Sequence, residues 1–83
     1  MDYTTQFRLS FLSENPHLDI HMGDCITTGH GTHKYICTYS GDWSVEDLVN
    51  YLDGGIYNYG GRIENEIKNE DGSTTATVCV YYD

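Results

Sequence analysis

The sequence predicts an α+β domain, a two-layer sandwich whose antiparallel four-stranded sheet carries two helices on one face in the order β-β-β-α-α-β. Two observations carry this. Apolar residues alternate with polar ones at Phe7, Leu9, Phe11, again at Leu18, Ile20, Met22, and again at Ala76, Val78, Val80, the period of strands with one buried face. Between them Val45, Leu48, Val49 and Leu52 fall at i, i+3, i+4 and i+7, which is helical.

The elements follow in order. The first alternation places strand one over about residues 3–13. Ser13-Glu14-Asn15-Pro16 is turn chemistry, because Pro16 fixes its own φ and pushes Asn15 out of helix space, so strand two returns antiparallel through Leu18 to Met22. Thr27 to Gly31 reads as a glycine-bearing turn, and the β-branched and aromatic run from His33 to Tyr39 as strand three, with its buried face ambiguous. A helix spans 45–53: Ser44 caps it, Asp47 sits at the capping-box distance and Gly54 takes the left-handed C-terminal position. After a loop with Ile56, Tyr57 and Tyr59, Ile63 and Ile67 share one face and Glu64 pairs with Lys68 at i, i+4, predicting a second helix over 62–69. Asp71-Gly72 then turns the chain into the last strand, 74–82.

Residues 1–83 suffice for one domain, and no apolar stretch approaches the roughly eighteen residues of a membrane span. Thirteen Asp and Glu against four Lys and Arg leave a net charge of -9, a field that repels nucleic acid and anionic membranes. Residues 41–83 hold nine of the acids, so the second half carries the field. Aromatics at 13% with charged residues at only 20% set the chain apart from acidic disordered tails. Cys25, Cys37 and Cys79 are an odd number, and the N-terminus lacks the charged start and apolar run of a secretory signal, which together fit free thiols in a reducing cytoplasm.

Neither GxGxxG, P-loop, HExxH nor GxSxG occurs, and no Ser, Cys or His spacing orders a triad, so the sequence supports neither catalysis nor a bound cofactor. Cys25-x4-His30-x2-His33-x3-Cys37, with His17 and His21 nearby, supplies zinc-type donors at a spacing that matches no standard finger. It supports a zinc-stabilised adaptor or regulator as an alternative function.

The acids support a different chemistry. Glu46, Asp47 and Asp53 on the first helix, with Glu64, Glu66 and Glu70 on or after the second, stand at spacings of about 5–7 Å that let carboxylates imitate a row of phosphates. A surface of that kind binds what nucleic acid binds, a Lys/Arg-lined groove. A second candidate surface is the sheet face that the helices leave open, where Tyr35, Tyr39 and Tyr81 are expected to supply contact area and hydroxyl hydrogen bonds.

Ser44-Val45-Glu46-Asp47-Leu48 with Tyr51 and Gly54, followed after a loop by Gly61-Arg62-Ile63-Glu64-Asn65, resembles the helix-loop-helix of a small phage anti-CRISPR family, the type I-F inhibitors. The resemblance covers residues 42–69, about a third of the chain, and the GRIEN stretch is its distinctive part. It implies an antiparallel sheet backed by two helices. It also implies inhibition, in the cytoplasm of an infected bacterium, by docking on a crRNA-guided type I surveillance complex so that target DNA cannot pair. The family pattern ends after its second helix, whereas this chain adds a strand, and no contact residue of the family carries over. The expected function is therefore a non-enzymatic inhibitor that competes with DNA, with the zinc-stabilised adaptor and an acidic phage structural or assembly protein as alternatives.

Overall fold

The computed structural model describes residues 2–27, 31–55 and 58–82. Its elements are α1 (Tyr3–Glu14), β1 (Asp19–Thr27), β2 (Thr32–Ser40), α2 (Val45–Asp53), β3 (Gly61–Lys68) and β4 (Thr74–Tyr81). The fold is α+β, with one four-stranded sheet in the order β1-β2-β4-β3 and every neighbouring pair antiparallel. Four strands and two helices are present, but the chain order is α-β-β-α-β-β. Two predicted elements have exchanged type.

The first exchange is α1, predicted as strand one. Asp2 caps it by accepting from the Thr5 amide at 2.7 Å, and Asn15 closes it with its amide on the Leu12 carbonyl at 3.2 Å. Tyr3, Phe7 and Phe11 also lie at i, i+4, i+8, so the aromatics that alternate along a strand equally make a helical stripe. The structure uses that stripe, with successive ring centroids 6.5 and 6.4 Å apart. Leu9, which the strand reading buries with Phe7 and Phe11, is exposed.

The second exchange is β3, predicted as the helix over 62–69. Ile63 and Ile67, taken there as one helical face, lie on opposite faces of the sheet: Ile63 pairs with Val78 on the core side and Ile67 with Thr75 on the other. A bulge between Glu64 and Ile67 causes this by inserting one residue into the alternation, with Asn65 at φ 57 taking the left-handed conformation that asparagine tolerates. The predicted Glu64–Lys68 pair is not made; Glu64 reaches Lys34 and Arg62 instead. Local helical spacing is overridden because β4, carrying Ala76, Val78 and Val80, needs partners along both edges.

Of the remaining elements, α2, β2 and β4 follow the sequence, whereas β1 pairs with β2 and not, as predicted, with the segment that forms α1. Helix α2 has the predicted bounds: Ser44 Oγ accepts from the Asp47 amide at 3.0 Å, and Gly54 ends the helix at φ 72 with its amide on the Tyr51 carbonyl. The β3–β4 hairpin turns at Asp71-Gly72, where the Asp71 carboxylate accepts from the Ser73 amide at 2.9 Å. Of the predicted turn after β1 and the loop after α2, residues 28–30 and 56–57 lie outside the described residues.

The core is built on one sheet face. Leu48, Val49, Tyr51 and Leu52 of α2 pack on Cys37 and Tyr39 of β2 and on Ala76, Val78 and Val80 of β4, with Ile20, Met22 and Ile63 at the flanks. Helix α1 reaches the same cluster through Phe11 and Leu12, and Phe11 stacks on Trp43 at 5.4 Å. Arg8 fixes the helix pair by donating from Nε to the Tyr51 carbonyl (2.9 Å) and from Nη2 to the Leu52 carbonyl (2.6 Å), satisfying C-terminal acceptors of α2. The molecule measures 35 × 30 × 19 Å. The core cluster lies on one sheet face, while Ile26, Ile36 and Ile67 on the other are exposed.

Candidate interaction surface

The register defines the open face row by row. Ile26, Lys34, Cys79 and Arg62 cross β1-β2-β4-β3 in one row; Ile36, Thr77 and Glu64 form the next; His21, Thr38, Thr75 and Ile67 the next. Beyond the first row Tyr81 pairs with Thr32, and beyond the third Asp19 pairs with Ser40. Ile26, Ile36 and Ile67 are 53%, 41% and 60% exposed, so three isoleucines stand in solvent among threonines. This composition was missed in the sequence because the burial phase of β2 was ambiguous there. Pairing with β4 decides it: Tyr35 lies opposite Val78 and Tyr39 opposite Thr74, both buried.

Tyr35 and Tyr39 are therefore not on the open face as predicted. Tyr39 belongs to the core and Tyr35 packs against it, and burial raises both phenol pKa values. Tyr81 does face the open side, where its hydroxyl accepts from Arg62 Nη1 at 3.0 Å and the guanidinium lies 6.0 Å from its ring centroid.

An ion-pair network occupies one half of this face. Lys34 Nζ donates to Glu64 Oε1 at 2.9 Å and Arg62 Nη2 to Glu64 Oε2 at 3.3 Å. The hydrogen bond from Lys34 holds the Glu64 carboxyl below its ordinary range, and the same contact raises the Lys34 ammonium. Cys79 lies between Lys34 and Arg62 in the same row and is fully buried; burial first, then the Glu64 carboxylate, raise its thiol pKa. On the core face, burial pushes the Cys37 thiol up to about 11. Both thiols are buried, whereas Cys25 is exposed.

The other predicted acids do not gather on one surface. Glu46 is exposed in the first turn of α2, and Asp47 beside it is half-buried. Asp53 is buried, against the expectation of a contact residue: its carboxylate accepts from the Gly55 amide at 2.7 Å and from the Asn58 side chain, bracing the chain after α2. Glu66 lies 4.0 Å from Lys68, and Glu70 is exposed in the hairpin. The helical spacing assumed for Glu64, Glu66 and Glu70 is absent, since Glu64 and Glu66 flank the bulge of β3 and Glu70 follows it.

A second gathering of acids appears at the opposite end of the open face, where Asp19 and Asp71 line a depression of about 220 Å³ with His21 and Ser73. The tertiary pairing of β1, β2 and the hairpin tip brings them together, and no spacing in the chain announces it. Among the described residues no group of three or more His, Cys, Asp or Glu is arranged to hold a metal ion. His33 instead bonds Thr27 through Nδ1 at 2.9 Å and packs edge-on against Tyr82, while the Cys37 thiol points to the Tyr35 carbonyl. His30 of the zinc arrangement lies outside the described residues.

The fold and composition define a class: an acidic α+β domain with a four-stranded antiparallel sheet and two helices. No family model, no curated protein and no solved structure matches the chain. None of the described helices is long and apolar enough to cross a membrane.

Proposed function

We propose that this protein is a non-enzymatic inhibitor that docks through its acidic surface on the basic groove of a nucleic-acid-handling protein and competes with DNA there. The resemblance of residues 42–69 supplies the candidate target, a crRNA-guided type I surveillance complex met in the cytoplasm of an infected bacterium. The Gly61-Arg62-Ile63-Glu64-Asn65 stretch behind it lies on β3, so the likeness holds in residues and not in a second helix.

One observation carries the reading. Each of the four Lys and Arg side chains is engaged within the molecule: Lys34 and Arg62 on Glu64, Lys68 by Glu66 and Thr74, and Arg8 on the carbonyls ending α2. Glu46, Glu70, Asp24 and Asp42 are exposed on a chain of net charge -9, and among the described residues none of them is ion-paired. Such a field attracts a phosphate-binding groove and speeds encounter with it.

The test is competition. Purified type I surveillance complex is mixed with labelled target DNA and increasing protein, and DNA binding is followed by mobility shift. Loss of the DNA complex, together with a protein–complex species on gel filtration, supports the reading. DNA binding that persists at saturating protein and low salt overturns it.

A further inference from the structure

We infer that the cleft between α2 and the start of β3 is a receptor for a single lysine or arginine side chain of the partner. This inference rests on the proposed function and assigns the anchoring contact within it. The cleft holds about 220 Å³ and is lined by Val45, Glu46, Val49, Asn50, Asn58 and the Gly60-Gly61 backbone. Its lining combines apolar and polar chemistry. Val45 and Val49 supply apolar surface suited to a methylene stem, and Val45 is 40% exposed. Glu46 is the one ionised residue in the lining, beside the amides of Asn50 and Asn58.

The local structure holds this shape. Asn58 Nδ2 donates to Asn50 Oδ1 at 3.3 Å and the Gly60 amide donates to Asn58 Oδ1 at 2.8 Å, so both side-chain amides are tied into the local structure. The lining requires glycine at 61, where a Cβ would stand 2.7 Å from Val49 Cγ2 and 2.0 Å from the Cys79 carbonyl oxygen.

Charge complementarity selects the occupant. The chain's own cations are placed elsewhere: Lys34 and Arg62 on the opposite sheet face, Arg8 at the far end of α2, Lys68 beside Glu66 and Thr74. The half-charge of the α2 N-terminus opposes a cation, but Glu46 and Asp47 in that first turn exceed it. A cleft lined by two valines and a single carboxylate suits a long stem ending in a cation. A phosphate or a carboxylate is repelled by Glu46, and a wholly apolar side chain offers it no counter-charge.

The experiment uses the protein alone, so its outcome is separate from that of the surveillance-complex test. Uniformly 15N-labelled protein is titrated with N-acetyl-lysine methylamide, N-acetyl-arginine methylamide and, as a neutral control, N-acetyl-norleucine methylamide. The expected result is saturable shifts confined to the amides of Val45, Glu46, Asn50, Gly60 and Gly61 with one of the cationic probes and not with norleucine. Glu46→Gln should weaken that binding about five-fold, the size of a part-exposed ion pair. Val45→Lys, which places a lysine of the chain's own at the cleft, should abolish it, and the dispersion of each variant's spectrum reports its fold. Shifts spread equally over Asp24, Glu14 and Glu70, equal binding of norleucine, or undiminished binding by a folded Val45→Lys variant would each overturn the assignment. If the surveillance complex fails to bind while the cleft titrates as described, the receptor stands and the choice of target is wrong.

Discussion

Lys34 Nζ and Glu64 Oε1 meet at 2.9 Å although their strands, β2 and β3, are separated by β4. The two side chains bridge the intervening strand above Cys79 and Thr77, so the contact reports the order β2-β4-β3 directly. Both partners are about one-third exposed, which makes the pair sensitive to its surroundings.

The pair gives stability a defined pH dependence. Glu64 has a lowered carboxyl pKa in the folded state, so its contribution is fully present above its ordinary value of 4.5 and disappears as pH falls through the depressed one. Lys34 has a raised pKa, so its contribution is present below 10.5 and disappears as pH rises through the folded value. Glu64→Gln should lower the urea midpoint at neutral pH, and parent and variant should converge in strong acid. A constant gap across the acid range would show that Glu64 acts through packing alone.

The core makes a larger forecast. Leu48 and Leu52 are 0% and 1% exposed at the centre of the cluster, and truncating either to Ala should cost about 2–5 kcal/mol through the cavity left beneath α2. Tyr39→Ala should also destabilise the fold, since this ring is core and not contact surface. Thermal melts of the three variants check this, and a parent-like melt for Leu48→Ala would contradict the packing.

Adjacent glycines provide an internal control. Gly61 has no room for a Cβ against the Cys79 carbonyl, so Gly61→Ala should force β3 away from β4 and cost about 1–3 kcal/mol or more. Gly60 sits at φ +87 with nothing within 4 Å of a Cβ, so Gly60→Ala should cost only about 1–2 kcal/mol of backbone strain. Chemical denaturation of both variants tests the ranking, and the reverse order would disprove the β3–β4 register.

These particulars show what the sequence made legible. Helix α2 was readable to the residue, because Ser44, the apolar stripe and Gly54 all point the same way. β4 and its Asp71-Gly72 turn were legible for the same reason. The two exchanged elements carry both periods at once: Tyr3, Phe7 and Phe11 suit either geometry, and the i, i+4 isoleucines of β3 are split only by a bulge that depends on β4. The capping chemistry of Asp2 was the available sign for α1. The candidate surface was legible as net charge but not as position, because strand pairing decides which tyrosines are buried and which acids share an end of the sheet.

Salt should discriminate the nature of the partner contact. Attraction between a -9 chain and a basic groove is screened over a Debye length of about 8 Å at physiological ionic strength. Affinity for the surveillance complex should fall steadily as salt rises, as read by surface plasmon resonance. An affinity unchanged from low to high salt would indicate apolar shape matching instead of phosphate imitation.

Kinetics then separate the two surfaces. Glu46 and Glu70 are exposed and lie away from the core cluster, so reversing both to Lys should preserve the melting temperature and slow association through the lost charge, with faster dissociation as well where Glu46 anchors a partner cation. Ile36, Ile67 and Tyr81 lie on the open face, and anchors at the centre of an interface act mainly on dissociation. Ile36→Ser with Ile67→Ser, and Tyr81→Ala separately, should therefore shorten residence time if the open face docks, and should leave both rate constants unchanged if the acids alone make contact. Losses confined to the acidic pair place the contact on the α2 side and hairpin. Losses confined to the isoleucine and tyrosine variants place it on the open face and remove the argument for DNA imitation, because that face bears the Lys34–Glu64–Arg62 network and its three exposed isoleucines. Parent-like kinetics in both sets would exclude both surfaces.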